Sequence, residues 1–334
     1  MKILLLSNQP ESTTRLKLFK NTLEILNYTV VLPEFTSKNW YTISRETKKC
    51  IMGEKPDIIH LFNVPDIIYR HIPDLRGKYF SRLIYDYRSP WGLEYELIFG
   101  PPARIIGEHY ERKLARLSDA IVTVNSPLKN KVQGYLDRED EKTKSITIIP
   151  NYPTSEFVRE IGSDDSVLLP EDPFVLFVGR IDKHEGVHNL LNLIKIMPRT
   201  RFVVVGAGPF SRYYFRKNYS NVTLTGWQPH HSIPNFIRRA RMCIIPFSET
   251  KVTPYITDKS VWKLNEYLNF GKIVIASGIT PEEKRKNLNI CRPAEFPELI
   301  KQMMEKEPEP LEDGDYRFWE MNRNVIKTLY ETII

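Results

Sequence analysis

The chain has few cysteines and no long hydrophobic run, and each absence argues against a class of protein. Its three cysteines, Cys50, Cys243 and Cys291, form no Cys-x-x-Cys pair, which argues against a structural zinc site and a disulfide framework. No segment approaches the roughly 20 apolar residues that a membrane-spanning helix requires. The apolar run Ile3–Leu6 is much shorter than the core of a signal peptide, so it predicts a buried first strand. Together these features predict a cytoplasmic protein.

The chain also lacks a strong excess of charge of either sign. Its formal net charge is +7, from 48 basic and 41 acidic residues, and residues 1–160 hold 24 of the basic and 20 of the acidic ones. A nucleic-acid-binding domain concentrates its basic residues on one face, so this even distribution argues against a nucleic-acid partner. Nucleic-acid binding through net charge alone is kept as an alternative, and it predicts binding that rising salt abolishes.

Short apolar runs alternate with longer amphipathic segments along 334 residues, a length that suits two domains. The runs are nearly continuous in Ile, Val and Leu, as in parallel strands that are buried on both faces. The alternation predicts an α/β protein with doubly wound parallel sheets. The predicted strands are Lys2–Leu6, Thr29–Leu32, Ile58–Leu61, Leu83–Asp86, Ala120–Val124, Ser145–Ile149, Phe174–Val178, Arg201–Val205, Val222–Thr225, Met242–Pro246 and Lys272–Ala276. The predicted helices are Thr13–Leu26, Ala103–Leu117, Pro127–Leu136, Val187–Met197, Ser232–Arg239, Lys259–Phe270, Pro297–Lys306 and a final segment within Asp315–Thr332.

One segment rich in proline and acidic residues interrupts this alternation. It predicts a first domain at 1–155, a linker at 156–172, a second domain at 173–312 and a terminal helical segment at 313–334. In open parallel sheets, ligands bind beyond the carboxyl ends of the strands. We therefore expect the functional residues in the loops that follow the strands, with the two domains facing each other across a cleft.

The loop after the first strand of the second domain reads FVGRIDKHEG and places Arg180 between a strand and a helix. A helix N-terminus attracts anions, and the planar arginine fork binds oxyanions through two parallel hydrogen bonds. Arg180 is therefore a candidate phosphate ligand. An ordinary solvated loop arginine is the alternative.

Two further segments carry candidate binding residues. VVVGAGPFS contains Gly206 and Gly208, which allow a ligand close to the backbone, although the full Gly-x-Gly-x-x-Gly of a hydride-transfer enzyme is absent. In Asp258–Ser277, Lys263 and Glu266 occupy neighbouring positions of a predicted helix. A lysine suits a phosphate and a carboxylate suits vicinal hydroxyls. The alternative for this pair is a surface ion pair.

These motifs, in this order, resemble the retaining nucleotide-sugar glycosyltransferases of the GT-B fold, family four (glycosyl transferases group 1). The family's Gly-Arg-Leu/Ile corresponds to Gly179–Ile181, its Val-Gly-x-Gly-Pro to Val205–Pro209, and its acid-x7-Glu helix to Asp258 and Lys263–Lys272. The resemblance extends more loosely over the first half, including IYDYRSPWGLE and IIPNYP, and over the terminal helix. It implies two Rossmann-like domains facing across a cleft, with the C-terminal helix crossing back to the N-terminal domain.

The resemblance also implies an activity and a set of roles. The activity is transfer of a sugar from a nucleoside-diphosphate-sugar donor to a glycan, lipid-linked or small-molecule acceptor, with retention of configuration and with no metal or other cofactor. The resemblance implies that Arg180 and Lys263, with Lys183 as a third cation, contact the leaving diphosphate. It implies that Asp258 and His109 contact the donor sugar and that Glu266 contacts the ribose. The residues that it implies beside the base are Gly206, Gly208, Gly226 and Trp227.

The chain departs from the family pattern at three places. Glu185 stands where the family has a lysine, Asp258 is shorter than the usual glutamate, and SNQPESTT replaces a glycine-rich loop after the first strand. A carboxylate facing a pyrophosphate repels it, so a catalytically degenerate nucleotide- or glycan-binding protein is the main alternative. A sugar-nucleotide epimerase of the same fold is a further alternative.

Metal sites have little support in the sequence. Asp313-Gly-Asp315 matches the Asp-x-Asp pattern of metal-dependent glycosyltransferases, but its place before the terminal helix favours a helix cap. The pair His230-His231 lacks a third ligand nearby.

Two basic stretches that contain aromatic residues, Arg76–Arg88 and Arg212–Lys217, are compatible with peripheral contact at the inner membrane face. Such contact would suit a lipid-linked acceptor. Amphipathic surface elements with half-buried aromatic side chains are the alternative.

Overall fold

The computed structural model describes residues 1–137, 144–159, 169–217 and 219–333. The chain divides into two compact units. The N-terminal unit contains Met1–Asn151 and Met321–Ile334, and the C-terminal unit contains Tyr152–Glu320.

The N-terminal unit is a parallel sheet of strand order β2-β1-β3-β4-β5-β6 with helices between successive strands. Nearly every residue of its central strands is buried, because helices cover both faces of the sheet. Its strands are β1 (Lys2–Leu6), β2 (Thr29–Val31), β3 (Ile58–Phe62), β4 (Arg82–Tyr87), β5 (Ala120–Thr123) and β6 (Ser145–Ile148). Its helices before the linker are α1 (Thr14–Ile25), α2 (Trp40–Glu54), α3 (Ile72–Leu75), α4 (Trp91–Phe99), α5 (Pro101–Leu117) and α6 (Ser126–Gln133).

The C-terminal unit repeats this architecture with strand order β12-β11-β10-β7-β8-β9, again all parallel. Successive residues of β7 point to opposite faces of the sheet: Leu176 packs in one apolar cluster with Leu264, and Phe177 in another with Leu190. Its strands are β7 (Phe174–Val178), β8 (Arg201–Val205), β9 (Val222–Gly226), β10 (Met242–Pro246), β11 (Ile273–Ser277) and β12 (Leu288–Ile290). Its helices are α7 (Ser155–Arg159), α8 (Val187–Ile196), α9 (Ser211–Tyr214), α10 (Ile233–Arg239), α11 (Trp262–Asn269) and α12 (Phe296–Glu305).

The chain ends in helix α13 (Arg323–Ile333), which belongs to the N-terminal unit. Its Tyr330 is fully buried, and the Tyr330 hydroxyl lies 2.6 Å from Nδ1 of His60 on β3. The terminal helix is therefore attached to the sheet through a buried polar contact as well as through apolar packing.

The predicted fold class is confirmed: the protein is α/β, with two doubly wound parallel sheets. Six of the helices and strands named above were not predicted: helices α2, α3, α4, α7 and α9, and the edge strand β12. Helix α7 lies in part within the predicted linker 156–172, and residues 160–168 of that linker lie outside the described residues.

Candidate active site

Two loops at the carboxyl end of the C-terminal sheet contact each other through their backbones. The Gly179 N–H donates to the carbonyl of Val205 at 3.0 Å, and the Ile181 N–H donates to that of Ala207 at 3.2 Å. A methyl group on Gly206 would overlap the carbonyl oxygen of Gly179. Because only glycine permits this approach, Gly206 fixes the loop that carries Arg180.

Gly208 has a similar packing role one step along the same loop. A methyl group there would overlap the carbonyl oxygen of Ile181, and the Gly208 N–H donates to Oγ of Ser211 at 2.6 Å. The carbonyl of Gly226 accepts from the Gly206 N–H at 2.8 Å. The three glycines predicted beside the base therefore hold the loops after β7, β8 and β9 together.

Arg180 stands exposed beside a depression of about 320 Å³. Its side chain is 73% exposed, and its Nε lies 3.2 Å from Oδ2 of Asp182. The depression is lined by Val178, Gly179, Arg180, Val205, Gly206, Ala207, Trp227, Gln228, His230 and Ile233. A guanidinium and an exposed indole ring thus border one cavity, which suits a ligand with an anionic part and a flat ring.

Lys263 lies at the same loop as Arg180. The Lys263 ammonium group lies close against Gly179, since a side chain at that position would have its Cβ 2.9 Å from Nζ of Lys263. The ammonium group forms an ion pair with Glu185 and lies over the rings of Phe177 and Phe247, at 5.0 and 4.9 Å from the ring centroids. Lys263 is thus held in place by a carboxylate and two aromatic faces.

The position of Lys263 depends on how α11 is attached to β7. The hydroxyl of Tyr267, one helical turn after Lys263, accepts a hydrogen bond from the Val178 N–H at 3.0 Å. Burial raises the pKa of Tyr267 well above its usual range, so this hydroxyl stays protonated. The motif Lys-x-x-Glu-Tyr therefore joins the helix to the strand end that carries the candidate phosphate ligands.

Glu266 does not pair with Lys263. Its Oε1 lies 3.0 Å from Nε2 of His230, whose ring stacks on Phe157 at a centroid distance of 4.6 Å. His230 lines the depression, so the contact between Glu266 and His230 connects the Glu266 carboxylate to the same site. From the sequence, His230 is considered only as a metal ligand. Its position shortly after β9, in a loop that follows a strand, was the sequence feature that could have indicated a place in the site.

Asp258 is fully buried in the C-terminal unit. Its Oδ1 accepts from the Glu282 N–H at 2.7 Å, and its carbonyl accepts from the side chain of Asn265 at 2.7 Å. Its Oδ2 has no hydrogen-bond partner among the described residues. Burial raises the pKa of Asp258. The carboxyl group is closed off from solvent. Its predicted contact with the donor sugar stays a prediction.

The remaining predicted residues lie apart from this cluster or make few contacts. Lys183 is exposed in the loop after β7. His109 is exposed on α5 of the N-terminal unit, where its ring lies 5.3 Å from that of Tyr110. The roles of Lys183 and His109 stay predictions.

The candidate metal residues find other partners. Asp313–Asp315 forms a short 3-10 helix, in which the Asp315 carboxylate accepts from the Glu312 N–H at 2.8 Å. Within the described parts of the chain, no group of three His, Cys, Asp or Glu side chains is placed to hold a metal ion. In those same parts, no helix has the length and apolar character to cross a membrane.

Comparison with known proteins matches the C-terminal part of the chain to a family model. Residues 172–306 match the family model described as Glycosyl transferases group 1. No curated protein matches the chain by sequence.

Solved structures with the same fold cover almost the whole chain. Sucrose-phosphate synthase from Thermosynechococcus elongatus is 16% identical, with a TM-score of 0.65 and coverage of 99% of this chain and 96% of that one. Anabaena HepE, solved with UDP and glucose, is 12% identical, with a TM-score of 0.62 and coverage of 98% and 99%. UDP-GlcNAc 2-epimerase from Methanocaldococcus jannaschii is 11% identical, with a TM-score of 0.54 and coverage of 99% and 100%.

Identities this low establish the fold alone, and the epimerase shows that this fold serves more than one chemistry. The family match covers the segment that contains Arg180, Lys263 and Glu266. The resemblance predicted from the sequence is therefore confirmed: residues 172–306 are those of a group 1 glycosyl transferase, within a chain of GT-B fold.

Proposed function

We propose that the protein transfers a sugar from a nucleoside-diphosphate-sugar donor to a glycan, lipid-linked or small-molecule acceptor, with retention of anomeric configuration and without a metal ion. One observation carries the proposal. Arg180 and Trp227 line one cavity, and Lys263 lies against Gly179, which lines the same cavity. Two cations and an aromatic ring are the groups that a nucleoside diphosphate requires.

The two cations act on the leaving group. As the bond between the anomeric carbon and the donor oxygen breaks, negative charge collects on the β-phosphate, and preorganised positive groups there lower the barrier. The acceptor hydroxyl forms the new bond to the same carbon, and its proton passes to the phosphate oxygen of the departing nucleoside diphosphate. Because Lys263 is held by Glu185, Phe177 and Phe247, little reorganisation is needed when that charge develops.

The other residues of the site bind the donor without bearing the charge. Glu266, held by His230, is placed to accept hydrogen bonds from the ribose hydroxyls. Trp227 is largely exposed and offers a face on which the base can stack. Asp258 and His109 are kept as proposed contacts of the donor sugar, and Lys183 as a further phosphate contact.

Thermal stability with nucleotides tests the donor site. We would record the melting temperature with UDP, GDP, ADP, TDP and CMP, each with and without EDTA; UDP comes first because HepE was solved with it. A diphosphate that raises the melting temperature equally in EDTA supports a metal-free donor site, because a ligand of the native state stabilises it by mass action. If no nucleotide at millimolar concentration has an effect, the proposed donor site is wrong.

The variant Arg180→Ala tests the central observation. We expect turnover to fall at least ~100-fold, as when one oxyanion-stabilising group is lost elsewhere, with an unchanged melting temperature. The matched control is Arg292→Ala, because Arg292 is similarly exposed and also has a nearby carboxylate, Glu295, at 3.0 Å. Unchanged donor kinetics in a folded Arg180→Ala protein would remove Arg180 from the site.

The stereochemical outcome is read from the product. The anomeric proton signal in NMR shows whether the configuration is kept, and the same spectrum shows any epimerised donor. An inverted product would overturn the proposal of retention, and an epimerised donor with no transfer would favour the epimerase.

The degenerate binding protein is the second candidate, and the Lys263–Glu185 ion pair favours it. In that case the Glu185 carboxylate neutralises the Lys263 ammonium group, which is then not free to bind a diphosphate. Nucleotide binding with neither transfer nor hydrolysis of the donor would support this alternative.

A further inference from the structure

The helical hairpin α4–α5 of the N-terminal unit exposes large apolar side chains at its tip. Phe99 is 64% exposed and Ile105 is 73% exposed, on either side of the turn at Gly100. The apolar tip, as we define it, consists of Leu97, Ile98, Phe99, Ile105 and Ile106. A contiguous group of this size on a protein surface marks an interaction site more often than chance exposure.

The hairpin does not need these side chains for its own packing. Helices α4 and α5 meet through glycines, since a methyl group on Gly107 would overlap Cα of Gly92. Trp91 and Leu93 of α4, and Ala103, Leu114 and Ala115 of α5, are among the buried side chains. The apolar tip lies beyond this contact.

Aromatic rings extend from the tip along one side of the hairpin. Tyr95 stacks on Trp91 at a centroid distance of 5.0 Å and meets Phe99 edge-on at 4.7 Å, and Trp40 of α2 packs against both Trp91 and Tyr95 at 6.3 and 6.1 Å. Tryptophan and tyrosine with one side exposed are typical of membrane–water interfaces.

Beyond the apolar tip, α5 continues as a basic face. His109, Arg112, Lys113 and Arg116 are all exposed and line a shallow depression of about 480 Å³, together with Pro73 and Leu117. This basic face is not neutralised by the nearby carboxylate of Glu108, which lies 2.9 Å from Nε of Arg104 and 3.4 Å from Nζ of Lys131. An apolar end followed by a cationic face is the pattern of a helix that lies on an anionic lipid surface.

The stretches that suggested membrane contact in the sequence fit less well. Within Arg76–Arg88, the rings of Phe80, Tyr85 and Tyr87 are buried, so these three rings offer no surface to a membrane. In Arg212–Lys217, Tyr213 is exposed and lies under the guanidinium of Arg216 at 5.3 Å, but Phe215 is buried. An apolar surface of comparable extent is found in neither.

We propose that the apolar tip and the basic face of α5 dock the protein on an anionic membrane, the tip entering the acyl boundary and the basic face meeting the lipid phosphates. A second copy of the chain fits this surface less well, because a two-fold dimer brings identical patches together and would oppose one basic face to the other.

Helix α4 follows β4 at the carboxyl end of the sheet, the end where ligands of parallel sheets bind. The docked surface therefore lies at the ligand-binding end of the N-terminal unit. The inference does not depend on the proposed transferase activity.

Sedimentation with lipid vesicles tests the proposal on the full chain. We would compare vesicles of phosphatidylcholine alone with vesicles that contain phosphatidylglycerol as the anionic lipid. We expect binding to the anionic vesicles only, weakened by salt, since both a charged and an apolar term contribute. Equal binding to both kinds of vesicle, or to neither, would overturn the proposal.

Matched variants locate the contact. The double change Phe99→Ser and Ile105→Ser should weaken vesicle binding roughly tenfold or more, because two exposed apolar side chains lose their burial in lipid. The control is Phe210→Ser with Tyr213→Ser, since these residues are similarly exposed, at 61% and 64%, in the C-terminal unit. Lys113→Glu should weaken binding to anionic vesicles, and an equal loss in the control pair would count against the α4–α5 surface.

Depth is measured with a tryptophan reporter. Phe99→Trp should add fluorescence that brominated lipids quench, and Phe210→Trp should add fluorescence that they do not quench. If sedimentation equilibrium without lipid instead shows a dimer that the Phe99→Ser, Ile105→Ser protein cannot form, a second copy covers the tip and the membrane proposal is wrong.

Discussion

The two units share one architecture and differ in what they bury. In the N-terminal unit, His60 and Asp86 lie within the strands, fully buried. In the C-terminal unit, the strand residues that are buried carry no charge, and the buried acids Asp258 and Glu266 lie on a loop and a helix. The strands of one unit thus carry a buried polar network, and the buried strand residues of the other are uncharged.

The buried network connects parts of the N-terminal unit that are far apart in sequence. Arg15 of α1 donates to Asp86 of β4 at 2.7 Å and to the carbonyl of Ile149 at 2.8 Å. His60 lies 3.6 Å from the same carboxylate and touches Tyr330 of the terminal helix. Although burial opposes it, the neighbouring Arg15 keeps the pKa of Asp86 below its usual value. A network of this kind fixes which elements meet, since an unpaired buried charge is costly.

The largest expected effect breaks this network. Asp86→Ala should lower the free energy of unfolding of the N-terminal unit by about 3–5 kcal/mol, because Arg15 is left buried without its carboxylate. Hydrogen exchange of peptides from β3 and β4 measures the loss in that unit. Peptides from β7 and β10 report on the C-terminal unit, in which no comparable loss is expected.

A surface pair in the same unit is the control. Lys20 and Glu24 are one turn apart on α1 at 2.8 Å and are partly exposed. Glu24→Ala should cost less than about 1 kcal/mol. An Asp86→Ala loss no larger than this would mean that the network does not hold the unit together.

The next effect belongs to the C-terminal unit and its glycine contacts. Gly206→Ala should destabilise the loops after β7 and β8 by about 1–3 kcal/mol, since the added methyl overlaps Gly179 and the backbone has a φ of +141°. Nucleotide binding should be lost with it. Isothermal titration with UDP and exchange of the loop peptides are the measurements.

Gly53→Ala is the matched substitution, because Gly53 lies in α2 with nothing within 4 Å of an added Cβ. It should raise stability by up to about 1 kcal/mol. If Gly206→Ala is as well tolerated and still binds nucleotide, the loops are not positioned by that backbone contact.

The third effect uses pH to separate the units. Burial lowers the pKa of His60, so the folded unit keeps it neutral while the unfolded chain takes up a proton below about pH 6.5. Stability from this group is therefore lost as the pH falls. Between pH 7.5 and 5.5 the N-terminal unit should lose stability through it, by at most about 1.4 kcal/mol, the limit for a His60 that takes up no proton in the folded unit.

His60→Gln isolates this contribution, because buried acids such as Asp66 and Glu111, whose pKa values burial raises, titrate in both proteins. The difference in urea unfolding between wild type and variant, measured at both pH values by exchange of β3 peptides, gives the His60 part. A difference that does not change with pH would show that His60 is not kept neutral by its burial.

Sequence reasoning predicted the strands well because parallel strands buried on both faces are continuous apolar runs. Strands β1, β7, β8 and β10 have the predicted bounds. It missed β12, which is three residues long at the sheet edge and contains Asn289. A short edge strand is defined by its partner β11 and has no apolar signal of its own.

The site was predicted as a set of residues, and its pairings were not. The motifs placed Arg180 in a loop that follows a strand, and Lys263 and Glu266 on a predicted helix. The partner of Lys263 is Glu185, 78 positions away, and the partner of Glu266 is His230, 36 positions away. Such pairings follow from the strand order of the sheet, which periodicity does not reveal. Helical spacing suggested the wrong pair, Lys263 with Glu266.

The smallest expected effect sharpens the comparison at one of the charge pairs beside the site of the C-terminal unit. Glu185→Gln removes the carboxylate from Lys263 but keeps a polar group of the same size. A carboxylate near a diphosphate repels it, so we expect the affinity for UDP to rise a few-fold, which corresponds to less than about 1 kcal/mol. Isothermal titration at low and high salt measures the gain, which should shrink as salt screens the charge. Weaker binding in Glu185→Gln would show instead that the ion pair holds Lys263 where the donor needs it, and the departure from the family lysine would then be part of a working site.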